Sequence, residues 1–237
     1  MKINKGSIVL SLTFVVLFFF NAYSQVEVMG TQSMLEKLRL EESIKGIQNM
    51  SYSDIEGNPF LFKDFERGYV VMKGGERYDV LLRYDKYAEE VQFKAGDMVY
   101  AVSNQDEIER VNIGGVEFIH SLYKMSIGSG NIKESYFEVL ADGKYVLLAK
   151  KNIRVKDPEP PKLYTEAKPA EFIIQEDSYF IKSGTADALR IKTKNDLKAY
   201  FDGREEGVLQ FVKRQKLNVN KKEDLVQVIK YVNQKDL

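Results

Sequence analysis

Arg77-Tyr78-Asp79-Val80-Leu81-Leu82-Arg83-Tyr84 is the stretch that decides the fold. Tyr78, Val80, Leu82 and Tyr84 fall on one side of an extended backbone; Arg77, Asp79, Leu81 and Arg83 fall on the other. Successive side chains of a strand point to opposite faces, so this period of two predicts a strand with one face in a core. Val91 and Phe93 alternate in the same way with Glu90, Gln92 and Lys94.

Working outward, Gly74-Gly75 precedes the stretch as a hairpin turn, because glycine reaches positive φ without steric cost. Ala95-Gly96-Asp97 and Asp142-Gly143 supply further turns. Between Gly68 and Lys150 the pattern gives about seven short strands joined by turns, which implies an antiparallel meander. Met98 to Val102 and Tyr145 to Ala149 are apolar at successive positions, so both faces of the sheet should be covered there. Either the sheet curls on itself or the helices at the C-terminal end pack over it.

Asp157-Pro158-Glu159-Pro160-Pro161-Lys162 holds three of the five prolines and reads as a linker or a crossing between layers. A hairpin is expected next, pairing Phe172–Ile174 with Tyr179–Ile181. After it the period switches to that of a helix. Thr193 with Asp196 forms a capping box ahead of Leu197, Tyr200 and Phe201, and Asp202-Gly203 is the stop. Val208, Phe211 and Val212 mark a second helix. Asn220 with Glu223 opens a third, whose Leu225, Val228, Ile229 and Val232 fall at i, i+3, i+4 and i+7.

The fold class is therefore α+β: an antiparallel β-meander, as a curved sheet or partial barrel, followed by a C-terminal three-helix segment. The parts are a signal peptide at 1–24, an irregular segment at 25–63 and the β domain at 64–156. The proline stretch at 157–162 and a hairpin-plus-helix region at 163–237, packed on the β domain, complete the chain. A short helix at 33–40 and a turn at Gly57-Asn58-Pro59 are the only features expected before the sheet.

The first 24 residues carry an address. Lys2 and Lys5 make a basic start, Ile8–Phe20 is an apolar run of 13, and Ala22-Tyr23-Ser24 offers small residues before a cut ahead of Gln25. These are the three parts of a secretory signal peptide. The run falls short of the roughly 20 residues of a bilayer span, so the mature chain is not expected to be integral to a membrane; an uncleaved anchor is the alternative. Cysteine is absent, which removes disulfides, thiolate catalysis and a lipidated cysteine together. An exported chain without cysteine, rich in lysine and glutamate, reads as bacterial, and the sequon Asn49-Met50-Ser51 then reads as chance. Charge is balanced at 35 basic against 35 acidic residues, which argues against a nucleic-acid partner.

Asp64-Phe65 with Gly68, Arg83-Tyr84-Asp85 with Tyr87 and Phe93, and Ile113-Gly114-Gly115 with Phe118 form one set of short stretches. Tyr136-Phe137-Glu138-Val139-Leu140 with Leu147-Leu148, and the closing Ile229-Lys230-Tyr231-Val232-Asn233, extend it. In this layout the chain resembles a group of uncharacterised secreted proteins from Gram-negative bacteria. The resemblance implies an exported bacterial protein and brings no activity, ligand or cofactor.

Residues that could carry chemistry have plain structural readings. His120, the only histidine, shares a strand face with Val116, Phe118 and Leu122 and is placed at the edge of the core. Ser121-Leu122-Tyr123-Lys124 matches the Ser-x-x-Lys pattern, but that chemistry needs a helix and the surroundings read as a strand. Gly128-Ser129-Gly130 is a turn. Glu89-Glu90, like Glu41-Glu42 and Glu205-Glu206, makes no dyad by adjacency. Asn104, Asp106, Glu107 and Glu109 lack the spacing of a calcium loop. No catalytic residue, metal ligand or cofactor site is assigned.

Tyrosine is abundant while tryptophan is absent, and Tyr78, Arg83, Tyr84 and Tyr87 are the candidate recognition surface, since tyrosine suits half-buried contact surfaces. Cross-strand packing of these rings is the competing reading. The expected function is a non-catalytic binding or assembly module of the bacterial envelope, in the periplasm or at the outer membrane, with another envelope protein as partner. A carrier of an apolar ligand such as lipid, and a hydrolase with dispersed carboxylates, are the alternatives.

Overall fold

Alternating side chains commit this chain to strands, and the strands need partners on both edges. The computed structural model describes residues 52–161, 166–202 and 207–234. The signal segment, the helix expected at 33–40, the sequon, Gly203 and the pairs Glu41-Glu42 and Glu205-Glu206 lie outside them. The architecture is α+β, a large mostly antiparallel sheet with three helices at the C-terminal end.

The strands are β1 (Ile55–Glu56), β2 (Glu66–Met72), β3 (Arg77–Asp85), β4 (Glu90–Ala95), β5 (Met98–Ala101) and β6 (Ile108–Ile113). They continue with β7 (Val116–Lys124), β8 (Ile132–Ala141), β9 (Tyr145–Lys156), β10 (Ala170–Ser183) and β11 (Ala188–Ile191). Helices α1 (Lys194–Phe201), α2 (Val208–Arg214) and α3 (Lys222–Gln234) follow.

The order β1-β10-β9-β8-β7-β6-β2-β3-β4-β5 gives the expected antiparallel meander in two parts. There are two meanders, β2–β5 and β6–β10, joined where β6 returns to the free edge of β2. Local alternation cannot say which strand lies beside which, and the return is made by residues 102–107 alone. The two sets meet at Gly68, which pairs with Ile113. A Cβ at Gly68 would run into the backbone carbonyl of Asn112 on β6. Gly68→Ala should therefore destabilise the protein by about 1–3 kcal/mol, the usual cost of forcing atoms into a filled site. A thermal melt of the variant within a degree of the parent would show that the two strands can simply move apart.

Gly114-Gly115 joins β6 to β7 in a two-residue turn with φ of 58° and 87° at the two glycines. Positive φ at both centres gives the turn whose twist matches a hairpin.

The sheet then closes on itself. β11 pairs antiparallel with β10 on one edge and parallel with β7 on the other, so β7 to β11 form a five-strand ring. Tyr123, Phe137, Leu148, Phe180 and Ala188 fill its interior, with the three aromatic rings edge-on at 5.1–5.5 Å. On the outside, Tyr145, Leu147, Ile181 and Ile191 pack against buried side chains of all three helices. The apolar run Tyr145–Ala149 thus has both of the covers its sequence demanded: the sheet curls on one face and helices lie on the other. Met98–Val102 does not. β5 is an edge strand, and Met98 is 60% exposed.

Two further expectations are corrected. Phe172–Ile174 and Tyr179–Ile181 are not the arms of a hairpin but one long strand, β10, paired with β9 throughout. The polar residues between them make a bulge instead of a turn. There Asn152 of β9 donates to the Glu176 carbonyl and the Ser178 hydroxyl, and Lys151 bonds Asp177. The proline stretch likewise joins two paired neighbours: it forms part of the β9–β10 hairpin loop, where Glu159 and Lys168 exchange backbone hydrogen bonds. It divides no sheet.

The helices start and pack as their stripes require. Thr193 and Asp196 make the capping box of α1. At α3, which begins at Lys222, the Asn218 N–H donates to Asp224. Leu225, Val228, Ile229 and Val232 are all buried. Near its end Asn233 accepts from the Tyr145 N–H at 2.9 Å and donates to the carbonyls of Tyr145 and Asp142, fastening α3 to the β8–β9 hairpin.

Candidate functional site

Strand periodicity already separates the four residues of the expected recognition surface. Tyr84 points inward: it is fully buried, its ring near Phe118 and Tyr136, and burial pushes its hydroxyl's pKa well up. This corrects its assignment to a surface. Tyr78 is half-buried on the same face of β3. Arg83 emerges on the other face, where its guanidinium lies 3.6 Å from the Phe60 ring centre, near Phe65, and donates to Gln92. Burial holds its pKa below the ordinary value. Tyr87 is partly exposed, but its ring packs edge-on against Tyr52 and Phe172.

Arg83 and Tyr87 belong to a seam that ties residues 52–65 to the β3–β4 hairpin. Asp85 is its centre, accepting the Tyr52 hydroxyl at 2.8 Å and the N–H groups of Tyr87 and Ala88. Burial first, then this bond, raises the pKa of Tyr52. Asp85 pairs across the hairpin with Glu90, whose carboxyl is pushed up by burial and by Asp85. Two carboxylates with one raised are what a hydrolase would need, but Asp85 is spent on Tyr52 and the turn.

The turn before β4 holds a second polar group. Glu89 sits at φ 57°, and its carboxylate accepts from Ser135 at 2.7 Å and from Lys150 at 2.6 Å. Ser135 and Lys150 are buried, so this trio satisfies charges beside the ring's aromatic core. It has the form of a structural clamp.

The open site lies elsewhere, along the outer part of β7. Phe118 faces Tyr84, while Tyr123 enters the ring, so β7 serves two cores with opposite faces. Where the cores change over, His120, Ser121 and Leu122 border a cleft of about 180 Å³. Lys73 from the β2–β3 turn, Asp106 from the β5–β6 link, Ile108 at the start of β6, Lys182 near the end of β10 and Asp187 from the β10–β11 turn line the remainder. His120 is half-buried against Tyr136, its Nε2 is buried without a partner, and burial lowers its pKa. Burial also lowers that of Lys182, against the opposing pull of Asp187, and Lys73 adds a little to the lowering. Asp187 is held by Lys124 at 2.9 Å.

Next to this cleft the β7–β8 hairpin exposes apolar side chains. Leu122 and Met125 are each 46% exposed, Ile127 57% and Ile132 48%. Ile132 pairs with Lys124, so Leu122 and Ile132 share one face of the hairpin as diagonal neighbours. Sequence reasoning passed over this group because isolated apolar residues in a strand predict a core. That no described element covers the hairpin tip was not legible. The Ser121-x-x-Lys124 pair lies on the strand as expected, with Ser121 bonded to the Leu122 carbonyl.

Among the described residues no group of three His, Asp or Glu side chains is placed to hold a metal, and no helix is long and apolar enough to cross a membrane. No family model, curated protein or solved structure matches this chain.

Proposed function

We propose that this chain is an exported protein of a bacterial envelope, of the secreted Gram-negative kind it resembles, and that it works by binding another envelope protein through the β7–β8 hairpin. The observation that carries the reading is the exposed group Leu122, Met125, Ile127 and Ile132 at the hairpin tip. Contiguous exposed apolar side chains with a polar rim mark interaction sites. The carrier reading draws less support, because side chains already fill the ring interior.

The test has two arms. The mature protein recovered from the envelope fraction of the expressing bacterium should begin at Gln25 by N-terminal sequencing; a chain starting at Met1 in the cytoplasmic fraction overturns the exported reading. Replacing Leu122 and Ile132 together with serine should abolish recovery of the protein's cross-linked partner while leaving the melting temperature within a few degrees. Both side chains are half in water already, so they contribute little to the core. Undiminished cross-linking by the variant overturns the hairpin as the binding face.

A further inference from the structure

The cleft beside the hairpin differs from the apolar tip in what it offers. Lys73 makes no ion pair or hydrogen bond through its ammonium with a described residue, and Lys182 donates only to the Ala186 carbonyl. Lys182 feels the carboxylate of Asp187 first and the ammonium of Lys73 second. Asp187 is neutralised by Lys124, which leaves Asp106 as the carboxylate on the lining without a bonded partner. Leu122 and Ile108 supply its apolar side.

Two cations, two anions of which only Asp106 lacks a bonded partner, and an apolar wall match a particular arrangement of groups: a carboxylate, an N–H and an apolar side chain carried on one carbon. The C-terminal residue of a protein chain presents these three together, and capture of a terminal carboxylate is an established mode of peptide recognition. The volume suits it. A cleft of about 180 Å³ holds the equivalent of roughly six waters, space for one residue and not for a long segment.

We infer that the cleft bordered by Lys73, Asp106, His120, Leu122 and Lys182 takes the C-terminal residue of the partner chain, one with an apolar side chain and a free carboxylate. The inference rests on the binding role of the adjoining hairpin. Lys73 and Lys182 face the carboxylate, Asp106 the last amide N–H, and Leu122 the side chain.

His120 is the only histidine, so its imidazole proton resonances report on the cleft alone. Titration of the mature protein with N-acetyl-L-leucine, followed by NMR, should shift these resonances along a saturable curve with a dissociation constant in the millimolar range. N-acetyl-L-leucinamide, which lacks the charge, and N-acetylglycine, which lacks the side chain, should each bind at least fivefold more weakly. Lys73→Gln and Lys182→Met should each weaken N-acetyl-L-leucine to a similar extent. A short peptide ending in leucine should bind at least as tightly as the acetylated residue.

Each contrary result is decisive. An amide that binds as well as the acid overturns the carboxylate assignment. A peptide that is excluded while the free acid enters overturns a chain terminus as the source. No saturable shift at tens of millimolar overturns the cleft as a site; if the serine variant of the hairpin still loses its partner, the hairpin reading stands and only this inference falls.

Discussion

A chain cut after Val219 does not fold to the native state: it loses its cooperative thermal transition and aggregates or remains expanded. The cut removes α3 with Leu225, Val228, Ile229 and Val232, all of them buried against the outer face of the ring. At roughly 1.5–3 kcal/mol for each such side chain, the loss is roughly 6–12 kcal/mol. An ordinary domain has about 5–15 kcal/mol in total. The cut also strips the cover from Tyr145, Leu147 and Ile181 and removes the Asn233 bonds that hold the β8–β9 hairpin. Isolated helices of this length are marginal in water, so α3 gains its order from this packing. Calorimetry and size-exclusion chromatography of the truncated protein check the expectation. A monomer that melts with the parent would make α3 a detachable tail.

Lys151→Met has the next largest effect and changes how stability responds to pH. Lys151 lies between β8 and β10, 2.5 Å from Glu138 and 2.7 Å from Asp177, and Lys222 of α3 reaches Glu138 at 3.2 Å. Lys151 and Glu138 are largely buried, at 16% and 14% exposure. Burial works to raise the pKa of Glu138, but the bonds from Lys151 and Lys222 outweigh it and hold the carboxyl below its ordinary value of 4.5. A carboxyl lowered in the folded state stabilises the fold at pH above its unfolded value, and that contribution is lost as pH falls through the folded value. In the parent, this part of the stability is therefore complete at neutral pH and disappears below about 4.5.

Removing Lys151 leaves Glu138 with Lys222 alone and takes from Asp177 its ion-pair partner among the described residues. Breaking one partner of a buried pair costs about 3–5 kcal/mol, more than the pair contributes by being there. With the lysine gone, burial dominates at Glu138 and its pKa rises. The variant is then weakest at neutral pH and loses its deficit as the carboxyl takes a proton. Urea melts across pH 3–8 should show the gap between parent and variant widest near neutrality and narrowing towards acid, an interval set by the titration of carboxylates. A gap that is independent of pH would assign the effect to lost packing of the lysine stem instead.

The residues of the candidate site were each present in the sequence as ordinary features. His120 was assigned to the edge of the core, and it does rest against Tyr136 while also lining the cleft. Lys73, Asp106 and Lys182 come from a turn, a link and the end of a strand that no local pattern relates. Tyr84 and Arg83 carried a signal, because their alternation on β3 already sets them on opposite faces and so rules out a single surface.

Local chemistry determined the elements. The period of two along Arg77–Asp85, the glycine turns, the Thr193 capping box and the stripe of α3 are interactions between residues close in sequence, and each appears where its residues require it. Only the tertiary structure decided the partners. A strand's edge groups are the same for every neighbour, so nothing in β2 names β6, and nothing in β11 names β7. Likewise Gln175 to Ser178 read as a turn until β9 supplied Lys151 and Asn152 to hold them as a bulge. Closure of the ring is decided by the joint burial of Tyr123, Phe137 and Phe180, from three strands. That sum of long-range contacts belongs to no single stretch of the chain.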